Sequence, residues 1–239
     1  MDFMADSEKY QKALEYLNKL LDLFPDDYVY YFARGNAYKN LKNYSAAIAD
    51  YSKAIKLKPD YAGAYYNRGN AYENLKNYSA AIADYSKAIK LKPDYAGAYY
   101  NRGKAYDDLG KYEAAIADYT KAIELNPDFA AAYNNRGVAY KNLKNYSAAI
   151  ADYTKAIELN PDYADAYNNR ELARKKLKES QKAASTTQKV TKNKKHRHSY
   201  NESLDIPFGY YYDSDNDLVW DDDMNDCMPA VYYDRDFDR

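Results

Sequence analysis

Cysteine is nearly absent from this 239-residue chain. The single Cys227 excludes an intramolecular disulfide and points to a reducing, intracellular compartment. No apolar run approaches the roughly 18–20 residues that a membrane span needs, and the acidic start is too poor in apolar residues for a secretory leader. The Asn-x-Ser triplets at Asn43, Asn77 and Asn145 are therefore not read as glycosylation sites. Tryptophan occurs once and histidine twice, at His196 and His198. With one thiol and no ligand spacing, a zinc site is not expected. Asp213, Asp215 and Asp217 open like a calcium loop. Leu218 stands where such a loop needs Gly, and Met224 where it needs Glu. No Gly-rich phosphate loop is present, so no cofactor is expected.

Tyrosine is in excess, with 32 residues against 6 phenylalanines. The excess is periodic. Tyr38–Gly69 recurs as Tyr72–Gly103 with one change, Lys39 to Glu73. Prolines at 25, 59, 93, 127 and 161 keep a step of 34, and so do the Asn-Arg pairs at 67–68, 101–102, 135–136 and 169–170. Within a period, Ala64, Tyr65, Tyr72 and Leu75, then Tyr78, Ala81, Ile82, Tyr85, Ala88, Ile89 and Leu91, recur at steps of three and four. That rhythm predicts two helices with one apolar face each. Lys76-Asn77 makes the turn between them. Pro93-Asp94 ends the unit, with Asp as the expected cap of the next helix.

Hairpins repeated head to tail build an all-α solenoid. The pattern resembles the tetratricopeptide repeat (TPR), a helical hairpin of about 34 residues, through Tyr65, Gly69, Tyr72, Ala81, Tyr85, Ala88 and Pro93. Gly69 and Ala88 let helices approach closely, and the rings fill the remaining space. The solenoid is expected over residues 8–180. A partial unit covers 8–27, and full units cover 28–61, 62–95, 96–129 and 130–163. A capping helix follows over 164–180, where Glu171 replaces the Gly and Arg174 replaces a Tyr.

One departure from the family recurs. Arg34, Arg68, Arg102, Arg136 and Arg170 stand where the family places Leu, and Asp50, Asp84, Asp118 and Asp152 precede the key Tyr of the second helix. Sixteen residues separate each of the first four Arg from its Asp, about the spacing at which antiparallel helices come level. An Arg–Asp pair in every hairpin is the expectation.

The tail, 181–239, is expected to be unstructured. Residues 182–201 carry six basic and no acidic side chains, and 202–239 carry twelve acidic and two basic. High charge with short apolar runs does not offset the entropy of ordering. Its apolar clusters, among them Tyr210–Tyr212 and Leu218–Trp220, suit a docking segment.

The resemblance implies a protein-binding groove lined by the first helix of each hairpin, which takes an extended peptide or a helix of another protein. Carried over position by position, that groove holds Phe32, Asn36, Lys39 and Asn40, then Tyr66, Asn70, Glu73 and Asn74. It continues with Tyr100, Lys104, Asp107 and Asp108, then Asn134, Val138, Lys141 and Asn142, and Asn168 extends the row. Some members of the family grip the C-terminal carboxylate of chaperone tails with a basic residue one place beyond the first-helix aromatic. Phe32, Tyr66 and Tyr100 occupy that place here, which disfavours such a ligand. Every carboxylate and hydroxyl of the repeats recurs as a repeat position, so an adaptor is expected rather than an enzyme. The competing readings are a self-assembling repeat array and a nucleic-acid-associated protein acting through the basic stretch Lys189–Arg197.

Overall fold

A computed structural model describes residues 2–203, 210–212 and 218–220, and side chains over residues 7–188 and 191. It divides into two units, residues 1–177 and 178–239. The first holds α1 (Asp2–Leu23), α2 (Tyr28–Asn40), α3 (Tyr44–Leu57), α4 (Ala62–Asn74), α5 (Tyr78–Leu91), α6 (Ala96–Asp108), α7 (Tyr112–Leu125), α8 (Ala130–Asn142) and α9 (Tyr146–Leu159). The helix α10 (Ala164–Ser203) begins in this unit. Helices α2, α4, α6 and α8 are the first, or A, helices of four hairpins; α3, α5, α7 and α9 are the second, or B, helices. Neighbouring A helices touch one another, while neighbouring B helices do not, so the array bends with its A helices inside.

The turns follow the sequence. Asn43, Asn77 and Asn145 cap α3, α5 and α9, each side chain accepting from the backbone N–H three residues on at 3.2 Å. Those three Asn-x-Ser triplets are therefore helix starts. The residue before each cap adopts positive φ, +59° at Lys42, +58° at Lys76 and +59° at Lys144; in the third hairpin glycine takes the place, with Gly110 at +70°. The A helices differ from expectation. Only α2 has an acidic cap, Asp27, which accepts from Val29 N–H at 2.8 Å. Helices α4, α6 and α8 start one residue after Tyr61, Tyr95 and Phe129, with no side-chain cap. Asp60 and Asp94 sit one place too early, and a ring occupies the capping position because it packs against the preceding hairpin.

The core is a column repeated four times. Tyr51, Tyr85, Tyr119 and Tyr153 are the largest fully buried side chains. Each ring lies over a glycine of its own A helix. A Cβ at Gly35, Gly69 or Gly137 would meet the ring at 2.7 Å, and at Gly103 at 2.9 Å. Only glycine leaves that volume free. Ala88, expected to allow close approach, is fully buried, and so is Ala81.

Burial raises the pKa of all four of these phenols far above the ordinary 10.0. The unfolded chain releases these protons from about pH 10, whereas the fold retains them. The folded state then binds more protons, so stability falls as pH rises above 10. Each retained proton steepens the fall by about 1.4 kcal/mol per pH unit. Alkaline titration followed by circular dichroism should show cooperative unfolding just above pH 10. A helical signal unchanged through pH 12 would contradict this.

The capping helix runs further than expected, to Ser203 rather than 180. No proline lies between Pro161 and Pro207, and no glycine between Gly137 and Gly209, so nothing local stops it. Likewise α1 starts at Asp2, ahead of the expected residue 8. In the second unit, β1 (Tyr210–Tyr212) pairs antiparallel with β2 (Leu218–Trp220), with Tyr210 opposite Trp220 and Tyr212 opposite Leu218. This short ladder is the one departure from an all-helical chain among the described residues. The remaining tail positions 204–209, 213–217 and 221–239, which include the Asp213–Asp217 motif and Cys227, lie outside the described residues. The side chains of His196 and His198 do too.

Candidate peptide-binding groove

Every hairpin is pinned by the expected ion pair. Arg34, Arg68, Arg102 and Arg136 grip Asp50, Asp84, Asp118 and Asp152 with two parallel bonds of 2.7–2.8 Å each. The aspartates are 5–6% exposed. The third guanidinium nitrogen, Nη1, reaches back to the preceding hairpin, donating to Asn18, Ser52, Ser86 and Thr120 in turn at 2.8–2.9 Å. One arginine thus ties two units. Arg170 lacks such an Asp, because α10 runs on as a single helix and no B helix folds back against it; its Nε is buried with no hydrogen bond among the described residues, 4.0 Å from Glu171.

These ties link each A helix to its own B helix and to the preceding unit. The aromatic row is more structural than the sequence suggests. Phe32 packs on Tyr51 and Tyr61, with ring centroids 5.8 and 4.8 Å away. Tyr66 packs on Tyr85 and Tyr95 at 5.9 and 4.7 Å, and Tyr100 on Tyr119 and Phe129 at 5.8 and 4.6 Å. All three rings are half-buried. Asn101 donates to the Tyr66 hydroxyl and Asn135 to that of Tyr100, both at 3.0 Å. Removing such a ring would therefore loosen the wall as well as any ligand contact.

The polar positions divide. Asn36 accepts from the Tyr51 hydroxyl at 2.8 Å, and the Tyr85 hydroxyl lies 2.8 Å from Asn70 Oδ1 and 2.7 Å from Glu73 Oε2. Lys104 Nζ donates to Glu73 Oε1 at 2.8 Å. Asn134 is 5% exposed, donates to Asn135 and accepts from Asn169, so it braces the wall. Val138 and Lys141 are half-buried; Asn40, Asn74, Asp108, Asn142 and Asn168 are exposed. A cleft of about 310 Å³ opens between the A helices of the first three hairpins, lined by Lys39, Tyr44, Asn70, Glu73, Asn74, Asn101 and Lys104. Five of those seven are positions the sequence singled out.

Asn67, Asn101, Asn135 and Asn169 escaped that selection. Each bonds to the preceding A helix: Asn67 accepts from Lys39, Asn101 donates to Asn70 and Tyr66, Asn135 to Tyr100, and Asn169 to Asn134. Their signal was the constant Asn-Arg step, visible as a spacing but not as a bridge. Among the described residues, no group of three His, Cys, Asp or Glu side chains is placed to hold a metal. None of the described helices is long and apolar enough to cross a membrane.

The tetratricopeptide repeat model matches residues 62–95, 96–129 and 130–163, and a second TPR repeat model matches 35–76. The chain belongs to the tetratricopeptide repeat family. The TPR units of the match coincide with the hairpins α4–α5, α6–α7 and α8–α9 and their closing turns. A protein-interaction repeat module is what this family fold provides. Among solved structures the chain is similar to MamA, 31% identical over 65% of this chain and 91% of that one, with a TM-score of 0.62. It is also similar to MamA 41-end from Desulfovibrio magneticus RS-1, 26% identical over 68% and 95%, with a TM-score of 0.62. YrrB, described as a TPR protein with an unusual peptide-binding site, shares the fold at 23% identity over 71% and 88%, also with a TM-score of 0.62. No curated protein matches the chain.

Proposed function

We propose that the A-helix surface binds an extended segment of a partner protein, making this TPR chain an adaptor. The cleft carries the reading. It lies on the inner side of the bend, and its walls carry the amides of Asn70, Asn74 and Asn101, the ammonium groups of Lys39 and Lys104 and the Glu73 carboxylate beside the Tyr44 ring. Asn side chains donate to and accept from a peptide backbone, and half-buried rings beside them add flat apolar contact at modest entropic cost. The far end of the array is closed to a fifth hairpin of the same kind. Glu171 puts a side chain where Gly35, Gly69, Gly103 and Gly137 leave room for a tyrosine ring. That disfavours head-to-tail growth into a structural array.

The test uses exposed positions that leave the wall intact. Asn74→Arg, together with Asn40→Arg, should weaken capture of a partner by at least about tenfold, with the melting temperature unchanged. Lys56→Glu and Lys90→Glu, on exposed B-helix positions, should have little effect. A partner whose affinity follows the B-helix lysines and ignores Asn40 and Asn74 would move the site off the groove.

A further inference from the structure

The near-identity of the repeats poses a problem of register. A ligand that fits one pair of A helices would fit the next pair equally well, shifted by one unit. The single change between Tyr38–Gly69 and Tyr72–Gly103, Lys39 to Glu73, falls in the groove, at the twelfth position of the A helix. Read along the array, that position holds Lys39, Glu73, Asp107 and Lys141. The four are not equivalent electrostatically.

Glu73 is spent. Lys104 holds one oxygen at 2.8 Å and the Tyr85 hydroxyl the other at 2.7 Å. The Glu73 position is therefore neutralised. Lys39 is different: it is half-buried, it lines the cleft, and among the described residues its ammonium meets an amide oxygen, Asn67 Oδ1 at 3.3 Å, and no carboxylate. Burial lowers its pKa, as expected for a cation without a counter-ion. Asp107 is the opposite case. It is one methylene shorter than Glu73, and both its Oδ1 and the Tyr119 hydroxyl are buried with no hydrogen-bond partner among the described residues. Burial first and Asp108 second push its pKa up, while Lys141 pulls it down. Asp107 and Asp108 together outnumber Lys141.

Resting on the groove reading above, we infer that the groove is charge-coded: its ligand is an extended peptide with an acidic side chain opposite Lys39 and a basic side chain opposite Asp107 and Asp108. Packed helices lie about 8–10 Å apart, so two steps along the array span roughly 20 Å. An extended chain covers that in about six residues at roughly 3.3 Å each. The acid enters the cleft beside Lys39, where the Asn70 and Asn74 amides are at hand; the base meets the exposed edge of the Asp107–Asp108 pair. A ligand shifted by one unit would set its acid against the spent Glu73 and its base against Lys141. The charges thus reject the wrong register as well as favour the right one.

Three pools of fluorescein-labelled nonapeptides test this by anisotropy against the full chain. Positions 2 and 8 carry Asp and Lys, two Asp, or two Lys, and the other positions are drawn from Ala, Leu, Tyr and Asn. The mixed pool should bind about tenfold more tightly than either like-charged pool. Lys39→Glu should move the preference to the two-Lys pool, and Asp107→Asn should remove the preference for Lys; Lys39→Gln, a milder change, should flatten the preference for Asp. Circular dichroism checks that each variant stays folded. If the pools bind alike, or Lys39→Glu leaves the ranking unchanged, the charge code is wrong; the groove reading then survives only where Asn74→Arg weakens all pools. If no pool binds, the groove reading falls and the code with it.

Discussion

Replacing Asp84 with alanine should destabilise the repeat array by about 3–5 kcal/mol. Arg68 holds Asp84 with two bonds of 2.7 and 2.8 Å and reaches Ser52 of the preceding hairpin at 2.9 Å. Without the carboxylate, a guanidinium 19% exposed loses its counter-charge and two acceptors at once. The Asp84 bond raises the Arg68 pKa above its ordinary value and outweighs burial, which lowers it. Arg68→Leu should also be costly, because it leaves Asp84, 5% exposed, without its partner. The double change Arg68→Leu with Asp84→Leu should recover most of the loss, since apolar pairs of similar volume often equal or exceed buried ion pairs. Urea unfolding of the two single variants and the double variant measures all of this. A single variant as stable as the parent chain would show that the pair is ornamental.

That pair was legible in the sequence for a simple reason. Arg and Asp recur in phase, and antiparallel helices of fixed length bring positions sixteen apart level. The Gly–Tyr column was legible in the same way, because a small residue and a large ring recur at constant separation. What the sequence concealed is contact between neighbouring units. Asn101 faces Tyr66, thirty-five residues back, and Asn135 faces Tyr100 across the same gap. A 34-residue period shows that such residues repeat but not which repeat they touch. Asn134 looked like a groove amide because its place in the period belongs to the groove. It is buried at 5% exposure because Asn169 and Asn135 take its polar groups. The caps misled for a local reason: Asp is a good cap in general, but Tyr61, Tyr95 and Phe129 win that position through ring packing with Phe32, Tyr66 and Tyr100. The length of α10 was hidden because polar composition was weighed above the lack of any Pro or Gly stop.

Ending the chain at Tyr163 should strongly destabilise the repeat region. The first turns of α10 cover the fourth hairpin through two alanines. Ala173 packs with Ala149 and Tyr153, and Ala166 packs with Ala156 and Ile157. The larger Tyr167 and Leu172 are 39% and 45% exposed. Small residues do the covering because they let the helix lie close. Removing it uncovers the Tyr153 ring and Ile157, each worth roughly 1.5–3 kcal/mol when fully buried. In an array where each unit leans only on its neighbours, the loss starts at that end and frays the fourth hairpin first. The melting temperature should fall by about 10 °C, and the bared face should drive association at micromolar concentration. A chain ending at Ser180, which keeps the cover, should melt close to the full chain. In the intact chain, Ala173→Glu should reproduce part of the loss, because a carboxylate has no room at a position with no exposed surface. If the 163-residue chain stays monomeric and melts with the 180-residue one, α10 is not the cap and the fourth hairpin closes the array by itself.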